Sequence, residues 1–144
     1  MFKYTIKYKD FLGNDQEDTL RFNISESEMY DLAQNNPKFN VDYLRYIMEN
    51  ASTVDIVDVI REIIVLSYGE LSEDGKKFRK SNEMGIEFLQ SAAFDALFNE
   101  LVYGDADSNF ATEFMIGVFP DKFSDMIKQG TSDLGNVKAI PVKQ

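Results

Sequence analysis

A chain of 144 residues, 44% of them hydrophobic, has the length and apolar content for one domain with a substantial core. Cysteine and histidine are absent, which excludes disulfides, thiolate or imidazole metal sites and every nucleophile–imidazole pair, leaving carboxylates, Lys and Tyr for any catalysis. A formal net charge of −10 repels phosphate backbones and anionic lipid, so neither nucleic acid nor membrane is an expected partner and proteins are.

The chain opens on Phe2, Tyr4, Ile6 and Tyr8 alternating with Lys3, Thr5, Lys7 and Lys9, the period-two pattern of a half-buried strand and not of a signal peptide. Leu20, Phe22 and Ile24 alternate with Thr19, Arg21 and Asn23 in the same way. Between them Gly13-Asn14-Asp15 tolerates positive φ, so the two runs predict an antiparallel hairpin with a longish loop. A hairpin alone is marginal in water, so its apolar face must lie on the helices that follow.

Ser25-Glu26-Ser27-Glu28 is a capping box, and it predicts a short helix through about Gln34, closed by Asn35-Asn36-Pro37. Val41, Leu44, Ile47, Met48 and Ala51 recur at helical spacing. From Val54 to Leu66 the apolar residues Ile56, Val57, Ile60, Ile63 and Ile64 cover a wide face, which marks the central and most buried helix. Gly69 is placed to end it. Asp74-Gly75 signals a tight turn, and Glu70 to Lys80 reads equally as a small hairpin or an ordered loop. Ser81 and Ser91 cap the next two helices, the second with Phe94, Leu97, Phe98, Leu101 and Val102 inward, ending at Gly104. A further helix is expected from about Ser108 to Phe119.

Residues 1–120 therefore read as one globular α+β domain, mainly helical, with an N-terminal antiparallel hairpin packed on about five or six helices. Residues 121–144 read as a short amphipathic helix, stopped by Gly130, and a flexible tail. Phe123, Met126 and Ile127, spaced i, i+3, i+4, are either a partner-facing anchor or the completion of the core. Residues 81–121 hold eight acidic residues and no basic one. Nine aromatics fall between Phe78 and Phe123, a surplus for a small domain, and exposed leftovers would mark an oligomer or partner surface.

No motif points to catalysis. Gly69 to Lys77 has the wrong spacing for a phosphate loop, with no Ser or Thr after Lys76 and three acids in the way. Asp105-Ala106-Asp107-Ser108-Asn109 opens like a calcium loop, but Phe110 stands where the turn needs glycine and Ile116 where the closing carboxylate belongs. Helix capping by Asp107 or Ser108 explains these residues more simply. Glu83 and Glu87, with Asp95 and Glu100 beyond, read as a solvated acidic face. No catalytic, metal or cofactor residue is expected.

The order Tyr68-Gly69, Ser72-Glu73-Asp74-Gly75-Lys76, Phe78-Arg79-Lys80-Ser81, Glu87-Phe88 and the helix Ala93 to Leu101 resembles the tail assembly chaperones of long-tailed bacteriophages. The resemblance implies a non-enzymatic protein of the host cytoplasm, absent from the mature virion. It also implies that the protein binds and solubilises the helical tape measure protein, with the major tail protein as a further partner, and promotes tail tube assembly. Tyr68, Phe78, Phe119, Phe123, Met126 and Ile127 are the expected partner-binding residues, and self-association as a homo-oligomer is expected. The alternative is an acidic inhibitor or nucleic-acid mimic of phage origin, using residues 81–121 as its phosphate-like face.

Overall fold

The computed structural model describes residues 1–50, 53–104 and 110–132. β1 (Phe2–Lys9) pairs antiparallel with β2 (Asp15–Phe22), Phe2 opposite Phe22 and Lys9 opposite Asp15. The alternation does what it predicts: Ile6, Leu20 and Phe22 are buried, while Lys3, Thr5, Lys7 and Lys9 face solvent. The inner face of β1 lies on α5 (Ala92–Tyr103) and α6 (Phe110–Val118).

The remaining helices are α1 (Glu26–Asn35), α2 (Val41–Asn50), α3 (Thr53–Ser67), α4 (Asn82–Leu89) and α7 (Asp121–Ser132). A 3₁₀ turn, Pro37–Phe39, joins α1 to α2. The caps act as their side chains dictate: Ser25 and Glu28 form the reciprocal capping box, Ser81 accepts from the Met84 amide and Ser91 from the Phe94 amide. α3 is the central helix, with Val59, Ile60, Ile63 and Ile64 all buried. Fully burying such a side chain stabilises by about 1.5–3 kcal/mol.

Glu70 to Lys80 forms a small hairpin, β3 (Glu70–Leu71) with β4 (Phe78–Arg79). Its turn is closed by the Asp74 carboxylate, which accepts from the Ser72 hydroxyl at 2.7 Å and the Lys76 amide at 3.0 Å, and by Gly75 at φ +74°. Gly69 does not end α3 through a left-handed conformation. Its need is space: a Cβ there would stand 2.5 Å from the Arg79 carbonyl oxygen and 2.8 Å from the Phe78 ring. The Gly69 amide donates instead to the Arg21 carbonyl, while Tyr68 bridges Phe22 and stacks on Phe88 at 4.2 Å.

Lys80 completes this junction. Its ammonium donates to the Asn23 carbonyl at 2.7 Å, the Leu66 carbonyl at 3.0 Å and the Glu28 carboxylate at 2.7 Å, tying the ends of β2 and α3 to the start of α1. The Tyr68-Gly69 to Lys80-Ser81 pattern is thus a structural staple.

The aromatic surplus is mostly enclosed. Phe88, Phe94, Phe114, Phe119 and Phe123 are buried and Phe78, Phe98 and Phe110 half-buried, so only Tyr103 of the nine stands exposed. The rings satisfy one another edge to face, from Phe2 through Phe114, Phe22 and Phe88 to Phe94. The hairpin supplies the cover that a count of helices alone omits.

α7 runs through Gly130 to Ser132 and packs on α2. Phe123 and Ile127 lie in the same core as Phe39 and Leu44, so the globular unit does not stop at Pro120. The calcium-like segment 105–109 and the tail from residue 133 onward lie outside the described residues. Among the described residues no helix is long and apolar enough to cross a membrane.

Candidate functional site

An open groove of about 420 Å³ runs between α1 and the start of α7, with the Pro37–Phe39 turn and the first residues of α2 below it. Its buried lining is Met29, Phe39 and Phe123; Tyr30, 67% exposed, and Met126, 46% exposed, stand at its edges. Ala33, Val41 and Pro120 add apolar surface, and Glu26, Asp42 and Lys122 bring charge to the rim.

Local chemistry holds each wall. The Ser25–Glu28 box fixes the entry of α1, presenting Met29 and Tyr30 in its second turn. Asn36 accepts from the Lys38 amide at 3.0 Å and donates its side-chain NH₂ to Glu62 at 2.8 Å, while Lys38 pairs with the other Glu62 oxygen at 3.1 Å. This anchors the turn bearing Phe39 to α3. The Asn40 side-chain oxygen Oδ1 caps α2, accepting from the Asp42 and Tyr43 amides.

On the opposite wall, Arg45 of α2 donates to the Met126 carbonyl at 3.3 Å and pairs with Asp42 at 3.3 Å. The Ser124 hydroxyl donates to the Ile116 carbonyl at 2.5 Å, fixing the angle between α6 and α7. Phe119 packs between Phe39, edge to face at 6.2 Å, and Phe123, tilted at 5.1 Å, so ring contacts tie the floor together. The edges are different: a tyrosine and an unbranched thioether, side chains that adapt to a partner's shape.

Such a groove can take the apolar stripe of a helix or extended segment by burying side chains. The tyrosines with the largest shifts lie elsewhere. Burial, with the hydrogen bond to Glu100 second, pushes Tyr4 up to about 12, and the hydrogen bond to Asp18 chiefly pushes Tyr8 to about 12. Both are structural contacts of the hairpin. Among the described residues no group of three or more carboxylates is placed to hold a metal ion.

Of the six residues expected to bind a partner, Phe123 and Met126 meet in this groove. Only Met126 presents a largely free side chain, since Phe123 forms floor and Phe119 and Ile127 are buried in the core. The i, i+3, i+4 spacing of the C-terminal helix is therefore mainly a core stripe: Phe123 and Ile127 fall on the face toward α2, and Met126 falls beside it. Tyr68 and Phe78 sit away from the groove, half-buried at the Gly69 staple. Met29, Tyr30, Phe39 and Val41 were not singled out for binding by sequence. Their one local signal is Tyr30, a large ring beside the inward Met29 on the first helix.

A family model described as phage tail assembly chaperone matches residues 1–144, the whole sequence. No curated protein matches, and no solved structure does.

Proposed function

The chain belongs to the phage tail assembly chaperone family, and on that premise we propose that it holds the tape measure protein in the groove between α1 and α7. It does so without catalysis, in the cytoplasm of the infected cell, and leaves before the virion matures. The observation that carries this reading is the pairing of a buried apolar floor, Met29, Phe39 and Phe123, with the exposed edges Tyr30 and Met126. A tape measure protein is long and helical, and its apolar stripe aggregates unless covered; a groove of this size covers a few anchor side chains at a time. The net charge of −10 keeps the complex soluble by repulsion between copies. The major tail protein is a second partner in this reading, recruited to the held tape measure.

Phe119, Ile127, Tyr68 and Phe78 serve the site indirectly, by fixing the helices that form it. The test is co-expression with the tape measure protein of the parent phage. Wild type moves that protein into the soluble fraction as a complex, and the Tyr30→Ser, Met126→Ser double variant, folded by circular dichroism, leaves most of it insoluble. A double variant that solubilises as well as wild type removes the groove from the function; a wild type that solubilises nothing removes the function.

A further inference from the structure

The last residues of the sequence supply an occupant for the groove between α1 and α7 from within the same chain. Residues 133–144 hold five apolar side chains, Leu134, Val137, Ala139, Ile140 and Val142, four of them gathered between residues 137 and 142. Lys138 and Lys143 are interleaved with them, and from residue 134 onward there is no acid. This is a short apolar segment of positive charge in a chain whose formal charge is −10.

The groove presents the complementary surface. Its floor of Met29, Phe39 and Phe123 is apolar, and its edges Tyr30 and Met126 stand 67% and 46% exposed. The two stretches that bound it, residues 26–45 and 120–126, carry six acidic residues against three basic ones. Partners reaching in from outside do not change that balance, since Glu62 on Lys38 is matched by Lys80 on Glu28. The walls are therefore three charges negative where the segment from residue 134 is two positive.

Reach is sufficient. α7 contributes Lys122, Phe123 and Met126 to the groove and ends at Ser132, about 14 Å along the helix from Phe123. The five residues 133–137 span up to about 17 Å, so a chain that doubles back after Ser132 can bring Val137 to Val142 over the groove.

We infer that residues 137–142 occupy the α1–α7 groove of their own chain when no client holds it. Tethering makes up for weak contacts: a short link keeps the segment at an effective concentration on the order of millimolar, enough to fill a groove that a free peptide of the same sequence would leave mostly empty. A client must displace the segment, and its apparent affinity falls by the fraction of chains whose groove is open. The inference rests on the groove's geometry and charge and not on the client reading.

The absence of cysteine makes the test direct. The full chain carrying Tyr30→Cys and Ala139→Cys is equilibrated in a glutathione buffer at micromolar concentration with no client present, so that failure here does not touch the client reading. The same pair in a chain that also carries Val137→Ser and Ile140→Ser gives the level of undirected encounter. The expected result is a disulfide within one chain at least five-fold above that level, reduced at least two-fold by Lys138→Glu with Lys143→Glu. Equal levels with and without Val137→Ser and Ile140→Ser overturn the inference, as does an excess that the charge reversal leaves unchanged. A disulfide that forms between two chains in preference to within one also overturns it, and gives the groove to a second copy.

Discussion

Replacing Lys80 by Met tests whether the junction from Gly69 to Ser81 is a structural staple. The Lys80 side chain is only 14% exposed, and Met retains its apolar stem while removing three charge-assisted hydrogen bonds, to Asn23, Leu66 and Glu28. Hydrogen bonds to charged groups contribute about 1.5–3 kcal/mol each, and breaking a buried pair costs about 3–5 kcal/mol. Glu28 is 43% exposed and rehydrates, so its share is discounted and the expected loss is about 2–4 kcal/mol. For a domain of this size that lowers Tm by roughly 6–15 °C. Burial alone would raise the Glu28 pKa, but the Lys80 bond, the Ser25 amide and the Lys80 charge outweigh it and hold it below the ordinary value of 4.5. The Glu28 part of the gap is therefore present above pH 4.5 and shrinks as pH falls through the lowered folded value. The assay is thermal and urea unfolding followed by circular dichroism, with the exposed Lys77→Met as control. A Lys80→Met protein within 0.5 kcal/mol of wild type refutes the staple.

Three further expectations follow from packing and titration. Gly85→Ala places a Cβ against the Val65 carbonyl oxygen and 2.8 Å from its Cα, so α3 and α4 must separate; a loss of about 2–3 kcal/mol in urea unfolding is expected and an unchanged midpoint contradicts it. Ile127→Ala removes a fully buried side chain from α7 and should cost about 2–4 kcal/mol, whereas a neutral result would show that α7 is not part of the core. In an ultraviolet titration Tyr4 and Tyr8 ionise late, near pH 12, and Tyr4→Phe should remove one of these two late ionisations. Because the folded pKa is raised, the stabilisation is complete below pH 10 and is lost as pH rises through 12; ionisation of all seven tyrosines together near 10 contradicts the Glu100 and Asp18 contacts.

What the sequence makes legible here is whatever is local. Alternation places Ile6, Leu20 and Phe22 inward, and Ser25, Ser81 and Ser91 cap helices because each hydroxyl reaches an amide three residues on. The order from Tyr68 to Ser81 is legible as a pattern, but its purpose depends on backbone approach: Gly69 meets Arg79, and Lys80 reaches back to Asn23 and Glu28. The groove was only half visible, since Met29 and Tyr30 face Met126 across nearly a hundred residues of chain and no periodicity spans that distance. Gly130 did not stop α7 at its own position, because helix propensity is a weak prior against a packed amphipathic face. Phe11 and Leu12 interrupt an otherwise polar turn and stand exposed at the hairpin tip.

The most direct test of the groove as client site is equilibrium binding of a fluorescent amphipathic peptide taken from the tape measure protein, measured by anisotropy against wild type and against the Tyr30→Ser, Met126→Ser variant. Losing two contact side chains of this kind costs about 1.5–3 kcal/mol, roughly a ten- to hundred-fold rise in Kd, with unfolding midpoints unchanged. An affinity within two-fold of wild type in a folded variant contradicts the assignment of this groove.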